Sequence, residues 1–480
     1  MSQLNRPLVE ALQDFKAQQP LSFHVPGHKH GILSTLPRDM RSALAYDVTE
    51  LTGLDDLHEA EGVIQEAEKL LSTLYRSTRS FFLVNGSTVG NLAMLYATCS
   101  YGDTVIVQRN AHKSVFNAIE LIGAKPVLVT PPWDDRTLTP GVLTYEQVNE
   151  ALKEFPHAKA VVLTYPTYYG VAGNELKGII ESCHAQQVPV LVDEAHGAHF
   201  IAGGAFPPSA IELGADIVVQ SAHKTLPAMT MGSFLHVRSD FIDEKNIAHY
   251  LRMLQSSSPS YLVLASLDDA RAYIASFTKE DHLEFMALRQ TFIDEVKRQT
   301  SYEVVETDDP LKLLVRSGGY SGFQLQRAFE TVGMYVELAD PYQVLIILPL
   351  TLQETKFPLQ RWLKKMHAAV PLLGKELQVT LPTALPAWPT GISTLDKSPS
   401  SIKKIGHEWI HIEEASGRVA ASSLIPYPPG IPLLLTGEKI TASHMNALLE
   451  LVEMGARVQG ADRLSEGKIA VMKIDSEEKR

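Results

Sequence analysis

A series of short apolar runs between residues 80 and 237, most of them followed by a polar junction and a helical pattern, constrains this fold more than any other feature. SFFLV (80–84), TVIVQ (104–108), KPVLVT (125–130), AVVLTYP (160–166), VPVLVD (188–193), ADIVVQ (215–220) and SFLHV (233–237) are continuous rather than alternating. A strand wetted on one face alternates apolar and polar residues, whereas a continuous run implies burial on both faces. Between the runs, TVGNLAMLYATC, HKSVFNAIELIG and NELKGIIESCHAQQ carry helical spacing, and Asn174 is expected as an N-cap. The pattern predicts an α/β fold whose large domain has a mostly parallel sheet covered by helices.

The flanks read differently. Residues 1–20 predict an amphipathic helical segment ahead of a major domain over 21–300. YEVVETD, LKLLVRS, GFQLQRAFETVG, MYVELAD and YQVLIILP predict strands around one helix, a small α+β domain over 301–380. LPTALPAWPTG (381–391) and the DKSPSSIKK that follows read as a linker opening a C-terminal domain over 381–480. A net charge of −12 disfavours a nucleic-acid partner, and no run is long and apolar enough for a membrane span. Cys99 and Cys183 are too few for a disulfide framework or a cysteine zinc site. With no apolar signal core at the start, a reduced, cytoplasmic protein is expected.

Candidate chemistry sits where the runs end, which is where α/β sheets place ligands. Lys224 follows ADIVVQ in SAHKTL, Asp193 closes VPVLV, His112 opens the helix after VIVQRN, and Ser87 and Thr88 follow FFLVNG. Each has a plain alternative: a surface lysine, a loop acid, a capping histidine, an ordinary N-cap. Together they match what pyridoxal phosphate (PLP) demands. A lysine must bind it as a Schiff base, an acid must pair with its pyridine nitrogen, donors must hold its phosphate, and something must cover its ring. Gly86 permits close backbone approach, and hydroxyls with free N–H groups at a helix start make an anion cradle. Their chain order matches the large domain of fold-type I PLP enzymes.

The strings SFHVPGHKHG (22–31), YDVTELTGLDDLHEAEGVIQEAE (46–68), FFLVNGSTVGN (81–91), RNAHKSV (109–115), DEAHGAH (193–199), SAHKTL (221–226), SSSPSYLVLASLD (256–268) and IPYPPGIPLL (425–434) make the resemblance specific. The chain resembles the Orn/Lys/Arg decarboxylases, class I, in a short form. The resemblance implies decarboxylation of arginine, lysine or ornithine to agmatine, cadaverine or putrescine. It implies Lys224 as the PLP lysine and Asp193 as the partner of the pyridine nitrogen. It also implies Ser87, Thr88, Ser221 and His223 at the phosphate, His112 stacked on the ring and His196 beside it. Lys224, His196 and Asp193 would be the catalytic set, with Lys224 or His196 returning the proton to Cα. The serine run 256–258, Ser257 at its centre, resembles a segment that reaches a neighbouring subunit's phosphate, which implies a homodimer with shared sites. Larger members carry an N-terminal wing that builds rings of dimers; here PGHK comes almost at once, so no wing and no decamer are expected.

Where relatives commonly read PGE, this chain has LTGEK, with Thr436 for the proline and Glu438 kept. Glu438 is the candidate reader of the substrate's distal cation, with Asp55, Asp56 and Glu59 as further acids. Another fold-type I reaction, aminotransfer or aldol cleavage, is the nearer rival, since fold alone does not choose between them. HEWIH (407–411) fits a zinc hydrolase signature through His407, Glu408 and His411, but that signature needs a helix, and interleaved isoleucines argue against one.

Overall fold

The computed structural model describes residues 2–353, 355, 357–374, 377–378, 390–426 and 430–474. It divides into two compact units, Met1–Thr98 with Leu176–Lys279, and Cys99–Glu175 with Glu280–Arg480.

The first unit is built on strands in the spatial order Arg79–Leu83, Ser233–Val237, Ile217–Gln220, Val190–Asp193. Ile217–Gln220 runs parallel to Val190–Asp193, while Ser233–Val237 is antiparallel to both its neighbours. All of these strands are buried along their length except Arg79 at one end. That double-sided burial is why the runs contain no alternating polar residues. The helix Gly86–Thr98 packs closely against the strands, because Gly90 has no side chain to hold it off. A Cβ there would lie 2.6 Å from Val219 Cγ1 and 2.8 Å from Leu83 Cδ1. Alanine would gain under about 1 kcal/mol of helix propensity. Overpacking should cost about 1–3 kcal/mol, so Gly90→Ala is expected to destabilise on balance. A urea midpoint at or above the wild-type value would show that Val219 and Leu83 can move aside.

In the second unit the order is Ala160–Thr164, Thr104–Gln108, Lys125–Val129, Ile392–Thr394. Thr104–Gln108 is parallel to both neighbours, and Ile392–Thr394 adds antiparallel. A separate antiparallel sheet joins Glu303–Glu306, Lys312–Arg316, Val344–Ile347 and Leu338–Ala339. The expected single helix of this region, Gly322–Thr331, packs against a second, Leu359–Leu373. Farther along, Leu424, Leu434, Ile440, Met445, Leu448 and Val471 belong to one buried cluster.

Several local expectations change. The helix beginning at Leu176 leaves Asn174 two residues short of its start, so Asn174 is not the residue before the first turn. The linker string LPTALPAWPTG lies outside the described residues over 381–389, as do 427–429 of IPYPPGIPLL. DKSPSSIKK is partly helical, because Pro399 begins the helix Pro399–Ile405, a position where a missing N–H costs nothing. HEWIH is a strand, His407–His411, paired antiparallel with Lys468–Met472. Residues four apart on a strand are separated by about 13 Å, so His407 and His411 cannot grip one metal as they would on a helix. Among the described residues no group of histidine, cysteine, aspartate and glutamate could hold a metal ion. The zinc hydrolase reading is therefore withdrawn. No described helix is long and apolar enough to cross a membrane. Cys99 and Cys183 are both buried and free.

Candidate active site

Of the residues singled out for PLP or substrate binding, all but His112 and Glu438 stand in the first unit. The strand Ile217–Gln220 hands over at Ser221 to a single helical turn, Ala222–Thr225, which carries Lys224. Lys224 Nζ lies 3.0 Å from His196 Nε2. An amine and an imidazole nitrogen can bond only if one of them lacks its proton, so the pair holds a proton that can change owner. His196 is buried, while Lys224 is half-buried.

Asp193 ends its strand with the carboxylate buried. Its Oδ2 accepts from Asn91 Nδ2 at 2.8 Å and its Oδ1 from the Ala195 N–H at 3.1 Å. These bonds fix the direction of the carboxylate, as a partner for a heterocyclic N–H requires. Asn91 was not singled out from sequence. It lies four residues after Ser87 on the same helix face, and it is a buried amide in the otherwise apolar run GNLAML.

The cradle lies at the opposite end of that face. Gly86 opens the helix Gly86–Thr98 at φ +79°, where L side chains are strained, and a Cβ there would project into open space. Ser87 and Thr88 occupy the first turn, where backbone N–H groups have no intrahelical acceptor. The Ser221 hydroxyl donates to Ser87 Oγ at 2.8 Å, so two strand ends converge. His223 Nδ1 is 2.9 Å from the Gly232 carbonyl, which can only accept. Nδ1 therefore carries a hydrogen, and Nε2 can donate to a phosphate only in the imidazolium form.

The serine run borders the same strand end. Ser256 N–H donates to Asn85 Oδ1 at 3.2 Å, and Gln255 Oε1 accepts from the Val84 N–H at 2.9 Å, leaving Ser257 exposed. The acids of the 46–68 string have structural occupations. Burial alone would raise the pKa of Asp55, but backbone N–H groups of Glu61, Asp56, Gly62 and Gln65 hold it below the usual range. Asp56 accepts from the His58 N–H at 2.8 Å, and Glu59 pairs with Arg252 at 2.6 Å.

In the second unit, His112 caps the helix Lys113–Ile122, accepting from the Ser114 N–H at 3.3 Å. Glu438 was read as facing a substrate cation. Its carboxylate is instead committed to Arg109, at 2.7 and 2.9 Å, and to the Leu435 N–H at 3.0 Å. Arg109 is buried, so a substrate cation would have to displace a guanidinium with no access to water. Removing one partner of such a pair costs about 3–5 kcal/mol.

A family model described as Orn/Lys/Arg decarboxylase, major domain, matches residues 6–314, and one described as its C-terminal domain matches 389–464. The chain belongs to the Orn/Lys/Arg decarboxylase family. It is an amino-acid decarboxylase, and PLP is its cofactor. This decarboxylase is 33% identical to a Bacillus subtilis arginine decarboxylase over 98% of this chain and 99% of the relative. It is 45% identical to the uncharacterised Bacillus subtilis protein YaaO over 98% of both. Among solved structures, a Francisella novicida lysine decarboxylase superposes with a TM-score of 0.81 at 20% identity, over 98% of this chain and 81% of that one. The fold expected from sequence, with its fold-type I large domain, is thus the fold found.

The residues suit the cofactor. An amine beside a proton acceptor stands at one strand end. An oriented carboxylate ends the neighbouring strand, and an open, glycine-started helix turn is lined with hydroxyls.

Proposed function

We propose that the enzyme removes the α-carboxylate of a basic amino acid, giving agmatine from arginine, cadaverine from lysine or putrescine from ornithine. The observation that carries the site assignment is the 3.0 Å contact between Lys224 Nζ and His196 Nε2 at the end of the strand that neighbours Asp193. Bound PLP supplies an electron sink for the charge left when CO₂ departs. Lys224 would hold the cofactor through its amine. Asp193, aimed by Asn91 and the Ala195 N–H, holds a proton on the ring nitrogen. Ser87, Thr88, Ser221 and His223 would hold the phosphate. Once freed, Lys224 sits within reach of His196, and either can deliver the proton that Cα requires.

Relatives named arginine decarboxylase match at 32–33% identity, whereas the inducible lysine decarboxylase of Escherichia coli matches at 23%. Arginine is therefore the first substrate to test. The expected result is CO₂ release from one or more of arginine, lysine and ornithine in side-by-side assays with added PLP. Release from none of them would overturn the reading.

We further infer a cytoplasmic homodimer serving polyamine synthesis. Between residues 21 and 40, Leu21, Phe23, Ile32 and Leu33 are at least 69% exposed, and the helix Arg38–Ala43 buries nothing. So much open apolar surface on one segment suits a second copy of the chain. The placement of Ser257 on the cradle's rim suits a role at a shared site.

A further inference from the structure

A buried hydrogen-bonded chain underlies the Lys224 site. Glu194 follows Asp193 and is wholly buried. Its Oε1 accepts from the Ala210 N–H at 2.8 Å, and its Oε2 meets the Ser209 hydroxyl at 2.7 Å and the Gln220 amide at 2.6 Å. Gln220 is the last strand residue before Ser221 and the Lys224 turn. The other end of its amide lies 3.0 Å from His236 Nε2. His236 Nδ1 lies 2.8 Å from Ser80 Oγ, which lies 2.7 Å from Ser77 Oγ. The chain thus links every strand of the first unit's array, from the residue after Asp193 to the strand Arg79–Leu83.

Each link has a polarity, because an amide and a neutral imidazole each offer one donor and one acceptor to it. When Glu194 is ionised it accepts from Gln220 Nε2. Gln220 Oε1 then faces His236, whose hydrogen must be on Nε2, and Nδ1 accepts from Ser80. When Glu194 is protonated it can donate to Gln220 Oε1. The amide turns over, Gln220 Nε2 donates to His236 Nε2, and the ring hydrogen moves to Nδ1. A mixed arrangement would set two donors or two acceptors face to face inside the core, where such a mismatch is costly.

We propose that Glu194 is a positioning residue for the Lys224 site, its proton setting the polarity of this chain and, through Gln220, the placement of the 221–224 turn. The direct partners of Glu194 are neutral. The charged and titratable groups near it include Asp193 next in sequence, Glu212, which pairs with Arg76 at 3.9 Å, and Tyr75, stacked on His236 at 4.2 Å. Burial, opposed by its hydrogen bonds to Gln220, Ala210 and Ser209, raises Glu194 to about 8. Burial lowers His236 to about 3, so its ring is neutral in both states.

The test uses the whole protein labelled with ¹⁵N at histidine, first without cofactor. The ring of His236 is expected to carry its hydrogen on Nδ1 below pH 8 and on Nε2 above it. Glu194→Gln, whose amide can donate but never ionise, should hold the Nδ1–H form across the range. A wild-type ring that keeps one form on both sides of pH 8 overturns the proposal, and this result needs no variant to fold. The second readout is PLP affinity. A change of about tenfold across the same range corresponds to about 1.4 kcal/mol and should be absent from Glu194→Gln. An equal step in the variant would break the link to the Lys224 turn. Stability should follow the same sign. An acid whose folded pKa is raised stabilises fully below its unfolded value and loses that contribution as pH rises through the folded one. The melting temperature should therefore decline as pH rises toward 8, less steeply in Glu194→Gln, with buried Glu68, raised to about 7, acting in the same direction. None of these readouts depends on which amino acid is decarboxylated.

Discussion

Lys224→Ala is expected to abolish turnover, by at least roughly 10³-fold, since in the proposed assignment one side chain would both anchor the cofactor and carry a proton. The same variant should lose the visible absorbance of the lysine-bound cofactor and any label fixed by borohydride reduction. His196 Nε2 would lose its 3.0 Å partner, so adding a soluble primary amine should restore a small part of the rate. A variant that keeps its absorbance and its rate would place the cofactor elsewhere.

Asp193→Ala comes next, with an expected loss of about 10²–10³-fold in kcat, the scale seen when a preorganised electrostatic partner is removed. Some cofactor should remain bound, because the residues proposed to hold its phosphate are untouched. The variant also leaves Asn91 Nδ2 and the Ala195 N–H without their acceptor, which costs roughly 1–3 kcal/mol of stability at the buried Asn91 and less at the part-buried Ala195. Asp193→Asn is not a gentler version. Its amide would present hydrogens to one of the two donors that now point at oxygens. Steady-state kinetics with a parallel melt separates the effects. A near-wild-type kcat for Asp193→Ala, with or without a lower melting temperature, would contradict the electron-sink role.

The fold was legible because continuous burial leaves a continuous apolar string, and the strands at 79–83, 104–108, 125–129, 160–164, 190–193, 217–220 and 233–237 follow those strings closely. Strand ends then placed Asp193, Ser221 and Lys224. The partners of these residues were harder to see. Asn91 reaches Asp193 only after a helix packs on a sheet, and the residues are 102 positions apart. Gln220 and His236 are polar residues within the apolar runs ADIVVQ and SFLHV, and their alignment depends on antiparallel register. The ion pair of Glu438 could not be seen locally, because its partner, Arg109, is 329 positions away. HEWIH matched a helical signature letter by letter but had the wrong periodicity in space.

The Arg109–Glu438 pair also limits how this gene can change. Arg109 stands just ahead of His112, whereas Glu438 lies in the segment matched by the C-terminal family model. A single-codon drift at either position strands a buried charge, so neutral routes through sequence space must alter both. A recombinant that imports its C-terminal third from a cousin inherits a working core only if the donor also agrees at position 109.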